Sequence, residues 1–76
     1  MTEDQDALAE TVTTKLRELR KKSGVTGEEL AERLGIPVQN VRRIEAGQNV
    51  TLKTLERIAR ALGYEVTIRF VKRGRG

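Results

Sequence analysis

The chain has no cysteine and no histidine, and one tyrosine and one phenylalanine are its only aromatics among 76 residues. Without cysteine there is no disulfide and no thiolate zinc site to supplement a small core. Without histidine the commonest general base and metal ligand is missing. Paired carboxylates and a glycine-rich phosphate loop are also lacking in any arrangement suited to catalysis. No enzyme activity, metal or cofactor is therefore expected. Two aromatics cannot build the stacking platforms by which proteins hold single-stranded nucleic acid or RNA loops. No apolar run approaches the ~20 residues of a membrane helix. The start, MTEDQDALAE, is acidic and lacks the basic-then-apolar order of a signal peptide. A soluble, cytoplasmic protein with no membrane partner is expected.

What is present is charge, unevenly placed. The net charge is +4. Residues 1–14 carry Glu3, Asp4, Asp6 and Glu10 and no base, whereas all fifteen Lys and Arg fall in residues 15–76 against seven acids. A basic body behind an acidic leader suits a polyanionic ligand, although a merely solvated surface has the same composition.

The stretch TGEELAERLGIPVQNVRRIEAG, residues 26–47, reads as two short helices and a tight turn. Thr26 and Glu29 form a T-x-x-E capping box at the start of a helix running to Leu34. Leu30, Ala31 and Leu34 share one face. Gly35 is suited to a helix end with positive φ, Ile36 is a single apolar plug, and Pro37 suits a first helical position. The next helix spans Val38 to Ala46, with Val41 and Ile44 inward and Gly47 as its stop. Ala31 is small enough to let the two helices cross closely. Val38, Gln39, Arg42 and Arg43 then face outward. This is a helix-turn-helix pattern with a basic, amide-bearing outer face, suited to a DNA major groove.

Around it the pattern predicts two more helices and a strand. Residues 1–5 form an acidic arm. A first helix over Asp6 to Lys22 carries the stripe Leu8, Val12, Leu16 and Leu19 and ends at Gly24. Its acids lie early and Arg17, Arg20, Lys21 and Lys22 late, either complementing the helix dipole or meeting flanking phosphates. Thr51 caps a fourth helix with a buried stripe of Leu52, Leu55, Ile58, Ala59 and Leu62, ending at Gly63. Tyr64, Val66, Ile68 and Phe70 then alternate with polar residues at period two, which predicts a strand over residues 64–71. Gly63 and the β-branched residues argue against a continued helix. The chain has no second strand, so the expected partner is the same strand of a second copy, antiparallel across a two-fold axis. Residues 72–76 are a basic, flexible tail. The expected architecture is mainly α, a four-helix domain over residues 6–63 with a C-terminal β-strand that pairs across a homodimer through Tyr64, Val66, Ile68 and Phe70.

The segments LRELRKKSGVT, EELAERLGIP, VRRIEAGQN and TLKTLERIARALG, within residues 16–63, resemble the Xre/Cro/lambda-repressor family of DNA-binding domains. The resemblance implies a lambda-repressor-like fold and sequence-specific binding of double-stranded DNA. That family commonly places glutamine after the capping threonine, where it supports the recognition helix and reaches a phosphate. Gly27 stands there, leaving a backbone N–H as donor, so Thr26 and Gly27 are taken as phosphate contacts. The run TLKTLERIARALGYEVTIRFV is also similar to HipB- and HigA-type antitoxins. That narrower likeness implies a repressor of its own toxin–antitoxin operon and a toxin protein as a candidate partner, which no residue here identifies. A second reading, motivated by Gly27, is a protein-binding antitoxin or adaptor with weak DNA affinity.

Phosphate contacts set register and base-edge contacts set sequence. Gln39 is the best base reader, since an amide pairs with adenine N6 and N7, and Arg43 one turn on can pair with guanine O6 and N7. Val38 suits a thymine methyl. Arg42 is assigned to bases and Asn40 to phosphate, the two being interchangeable on sequence grounds. Gln48, Asn49 and Thr51, with Lys53, precede or open the fourth helix, whose positive end suits a phosphate. Glu45 would be repelled by phosphates, so a structural partner such as Arg33 or Arg17 is expected. A dimer of such domains reads a palindromic operator.

Overall fold

A computed structural model describes residues 2–48 and 50–74, with side chains from residue 7 onward. Four helices follow one another: α1 over Thr2–Lys22, α2 over Gly27–Leu34, α3 over Val38–Glu45 and α4 over Leu52–Ala61. α1 starts four residues before the expected Asp6 and takes in most of the acidic arm. Nothing in TEDQ breaks a helix, and acids in the first turns complement the dipole.

Local chemistry sets the joints. The capping box at α2 is complete: Glu29 N–H donates to Thr26 Oγ1 at 3.0 Å and Thr26 N–H to Glu29 Oε1 at 2.8 Å. Gly35 takes φ +70°, which a side chain would resist, and its turn is closed by Ile36 N–H donating to Ala31 O at 3.0 Å. Pro37 lies one position earlier than expected. It is the N-cap of α3 with extended ψ 147°, not the first helical residue. Thr51 caps α4 by accepting from Thr54 N–H at 3.1 Å.

The core gathers around Leu30 and Ile58, with Leu16, Val25, Val41, Ile44, Leu55 and Leu62. α2 packs on α3 and on α4, and α1 packs on α3. The α2–α4 contact is fastened at the C-terminal end of α2 by two bonds. Arg33 Nη1 donates to Ala61 O at 2.9 Å, and Arg57 Nη2 donates to Leu34 O at 3.1 Å. Each arginine thus meets a carbonyl at the other helix's negative end.

Three expectations are corrected. Leu8 and Leu52 belong to their stripes by spacing but are 67% and 60% exposed. α1 is 21 residues long, far longer than the α3 it packs against, so its N-terminal part runs past the bundle. In its place Thr13 is buried at 1% exposure, its hydroxyl donating to Ala9 O at 2.8 Å. Finally, no strand forms among the described residues. α4 ends at Ala61 as Gly63 leads one to expect, but residues 64–73 run without regular structure. A ladder needs a neighbouring extended backbone, and no paired strand lies among the described residues. The expected strand and its pairing across a dimer therefore have no counterpart in this fold.

Candidate nucleic-acid interface

α3 is held from beneath and bare on top. Val41 and Ile44 are buried, while Gln39, Asn40, Arg42, Arg43 and Ala46 are exposed. At 100° per residue Gln39 and Ala46 lie nearest the outward direction, with Arg42 on one flank and Arg43 on the other. Val38 is half-buried against the core, so only part of it faces out. None of Gln39, Arg42 and Arg43 enters a side-chain hydrogen bond or ion pair among the described residues.

The far end of α3 is clamped by one side chain. Arg20 of α1 donates from Nε to Glu45 Oε2 at 2.6 Å, from Nη2 to Glu45 Oε1 at 3.1 Å and from Nη1 to Val25 O at 2.9 Å. The two side chains are 12% and 11% exposed. Both carboxylate oxygens are satisfied in a fork geometry that lysine could not supply. The hydrogen bonds to Glu45 hold the Arg20 guanidinium above its already high ordinary pKa. Glu45 is therefore a structural anchor, as expected, but its partner is Arg20 and neither Arg17 nor Arg33. Arg33 is engaged with α4 instead.

Two clefts flank α3. One, of about 450 Å³, lies between α1, α2 and α3 and is lined by Arg17, Gly27, Glu28, Val38 and Arg42 among others. It brings Arg17 alongside Arg42 and the start of α2. Arg17 is a cation of this surface that sequence reasoning left undecided, because dipole complementarity explained it equally well. The second cleft, of about 240 Å³, is lined by Asn40, Arg43, Ile44 and Gln48. The phosphate expectations thus divide between two sides of α3: Thr26 and Gly27 on one, Asn40 and Gln48 on the other.

The loop after α3 departs from expectation. Gly47 has φ +87° and lies against α1, where a methyl group would stand 3.7 Å from Glu10 Cγ and Thr13 Oγ1. Gln48 N–H donates to Arg43 O at 2.9 Å. That backbone donor is consumed in ending α3 and is not free for phosphate, leaving the exposed Gln48 side chain. Asn49 lies outside the described residues. Thr51 is exposed, but its hydroxyl donates to Thr54 Oγ1 at 3.0 Å. Lys53 is exposed in the first turn of α4.

Among the described residues no cluster of acidic side chains could hold a metal ion, and no helix is long and apolar enough to cross a membrane. Two short helices joined by a glycine turn, the second lying bare and basic on the first, define a helix-turn-helix domain of the DNA-binding type. A helix-turn-helix family profile matches residues 16–68, and the chain belongs to that family. An uncharacterised HTH-type transcriptional regulator of Methanothermobacter thermautotrophicus is 49% identical over 53 residues, which cover 68% of this chain and 77% of that protein. No solved structure matches the chain. The family is one of DNA-binding transcription regulators and not an enzyme class. Neither match reaches the narrower HipB and HigA types.

Proposed function

We propose that the protein is a sequence-specific repressor that binds double-stranded DNA in the cytoplasm by placing α3 in the major groove. The observation that carries this is the outer face of α3. Gln39, Arg42 and Arg43 stand exposed, with no side-chain partner among the described residues, on a helix whose inner face is buried and whose end is clamped by Arg20. Gln39 and Arg43 read base edges, Val38 meets a thymine methyl with its exposed part, and Arg42 reads a base from the rim of the Arg17 cleft. Thr26, Gly27, Asn40, Gln48, Thr51 and Lys53 set register on phosphates, and Arg17 joins them. As a homodimer the protein would read a palindromic operator. The likeness of residues 51–71 to HipB- and HigA-type proteins supports the finest form of this reading, an autoregulating antitoxin with a toxin partner.

Selection of duplexes from a random pool, followed by mobility shift, tests it. The selected duplex should bind on the order of 10³-fold tighter than random DNA, with affinity falling steeply as salt rises. Gln39→Ala and Arg43→Ala should each lower that preference by roughly 1–3 kcal/mol. Lys53→Ala should weaken both duplexes alike. No enrichment of any sequence would sink the proposal. It would favour the second reading, a protein-binding antitoxin or adaptor, for which the missing side chain at Gly27 is the motivating observation.

A further inference from the structure

The cleft between α1, α2 and α3 is lined by two acids, Glu28 and Glu45, and by Arg17, Arg20 and Arg42. Glu45 and Arg20 are committed to one another, and the remaining Arg20 bond goes to Val25 O. Glu28 is different. It is exposed in the first turn of α2 and accepts no hydrogen bond among the described residues. Its charge is felt nearby: after the hydrogen bonds and charge of Glu45, it adds to what holds the Arg20 guanidinium above its ordinary pKa. Dipole complementarity is a weak reason for this acid, because Glu29 in the same turn already serves the start of α2 through the capping box. A carboxylate one residue beyond Thr26 and Gly27 also repels the phosphate that those residues would hold. Its place is better explained by a partner on the protein.

We propose that Glu28 is a positioning residue for Arg42, fixing its guanidinium against a guanine edge when α3 enters the major groove. This rests on the DNA reading above and deepens it. A guanidinium carries five N–H donors in a rigid fork. Two pair with guanine O6 and N7, and a carboxylate beside the fork takes two of those that remain in the same plane. Arg42 is the cation of the cleft placed for this. It is exposed on α3 with no side-chain partner among the described residues. Arg20 is already committed, and Arg17 projects from α1, which does not enter the groove. On random DNA the same carboxylate acts in the opposite direction. It holds Arg42 back from phosphate and repels the phosphate itself. Glu28 therefore weakens binding to every sequence, and weakens the correct one least, which is how a repulsive charge raises specificity.

Equilibrium mobility shift of the parent, Glu28→Gln, Arg42→Ala and the double variant, each against the selected and a random duplex over a range of salt, tests this. Circular dichroism confirms that each variant is folded. Glu28→Gln keeps the shape of the side chain and removes its charge. It should lower the selected-over-random affinity ratio roughly 5–10-fold. Its binding to random DNA should tighten and become more salt-dependent by about one phosphate contact, made by the released Arg42. In the Arg42→Ala background the same change should leave the ratio within about twofold. Tighter binding to both duplexes alike overturns the proposal and makes Glu28 a plain repulsive charge. A lower melting temperature with the ratio unchanged overturns it in favour of dipole complementarity. An equal fall in the ratio without Arg42 overturns it as well. A parent that prefers no sequence defeats the DNA reading and this proposal together. A parent preference that survives in Glu28→Gln defeats this proposal alone.

Discussion

Residues 26–47 bury Leu30, Ala31, Val41 and Ile44, while residues 64–71 leave Ile68, Phe70 and Val71 more than half exposed. Both stretches are amphipathic, and each has the periodicity of a regular element. The first finds its complement within the chain. α2 and α3 cover one another across the Gly35 turn, and α1 and α4 close the remaining sides. The second has a pattern and no complement. A periodic sequence specifies which face is to be covered, and structure follows only where a covering surface lies within reach. The two regions therefore depend on different things: the first on core packing and caps, the second on what it meets.

The sharpest way to break this contrast is to truncate an apolar side chain in each region. Leu30→Ala should cost about 2–5 kcal/mol, since Leu30 is fully buried and a cavity would remain. For a domain of this size that is much of its total stability. Phe70→Ala should lie within about 0.5 kcal/mol of the parent at submicromolar protein, where any dimer has dissociated. Urea unfolding followed by circular dichroism measures both. Comparable losses would mean that residues 64–71 belong to the monomer's core.

Next in size is the clamp. Arg20→Ala strips Glu45 of its bonded partner in a site about nine-tenths buried and leaves Val25 O with one donor fewer. The expected loss is about 2–3 kcal/mol. Arg20→Lys should recover only part of it, because an ammonium cannot make the two-pronged contact. Urea midpoints of both variants rank them, and a lysine variant equal to the parent would show that charge alone suffices.

A smaller effect is expected at Gly27. A Cβ there would stand 3.9 Å from Val38 Cγ2, an ordinary contact. Gly27→Gln should therefore stabilise α2 by roughly 0.5–1 kcal/mol. It should also tighten DNA binding by roughly 0.5–1.5 kcal/mol through one added polar contact. Titration of both proteins against one duplex at one salt concentration decides. Weaker binding by the glutamine variant, with melting unchanged or raised, would indicate instead that the backbone at Gly27 approaches phosphate or partner closely.

The smallest effect is one of pH. The hydrogen bond from Thr26 N–H holds the Glu29 carboxyl below its usual range. A carboxyl whose pKa is lowered by folding stabilises the fold above its unfolded value, about 4.3, and that contribution fades as pH falls through the lower folded value. Glu29→Gln keeps an acceptor for the capping box without the titration. Between pH 6 and 3 the parent's melting temperature should fall slightly more than the variant's. Parallel curves would remove the carboxylate from the acid response.

Much of the fold was legible where a residue's role depends on its near neighbours. Thr26 and Glu29, Gly35, Val41 and Ile44, and Thr51 behave as their spacing predicts, because a cap or a one-sided stripe is settled within a turn or two. Roles that depend on distant partners were not. The expected partner of Glu45 is Arg33 or Arg17, and the crossing of α1 over α3 brings Arg20 to it instead. Thr13 is polar and off the leucine stripe, yet it is buried with the Gly47 turn against it. Its serviceable signal was the glycine, which allows a close approach but does not say to what. Leu8 and Leu52 fit their periods but flank an open groove and stay exposed. The exposure of Gln39, Arg42 and Arg43 was legible from the helical wheel. The loss of Gln48 N–H to Arg43 O was not, because it depends on how α3 ends.

The paired bonds from Arg33 to Ala61 O and from Arg57 to Leu34 O have a consequence for motion. A helix ordinarily frays from its ends, each terminus opening on its own. Here the last turn of α2 bonds both the end of α4, through Arg33 and Ala61 O, and its middle, through Arg57 and Leu34 O, so neither end opens without releasing a bond to the other helix. Amide protons in the two terminal turns should then exchange with solvent through one shared opening and not two. α3 is joined to α2 by the three-residue turn 35–37 and to α1 by the Arg20–Glu45 clamp, so loosening the end of α4 releases one of its two mounts. A perturbation at α4, on an element that contributes nothing to the outer face of α3, would reach DNA as a change in the angle at which Gln39 and Arg43 are presented.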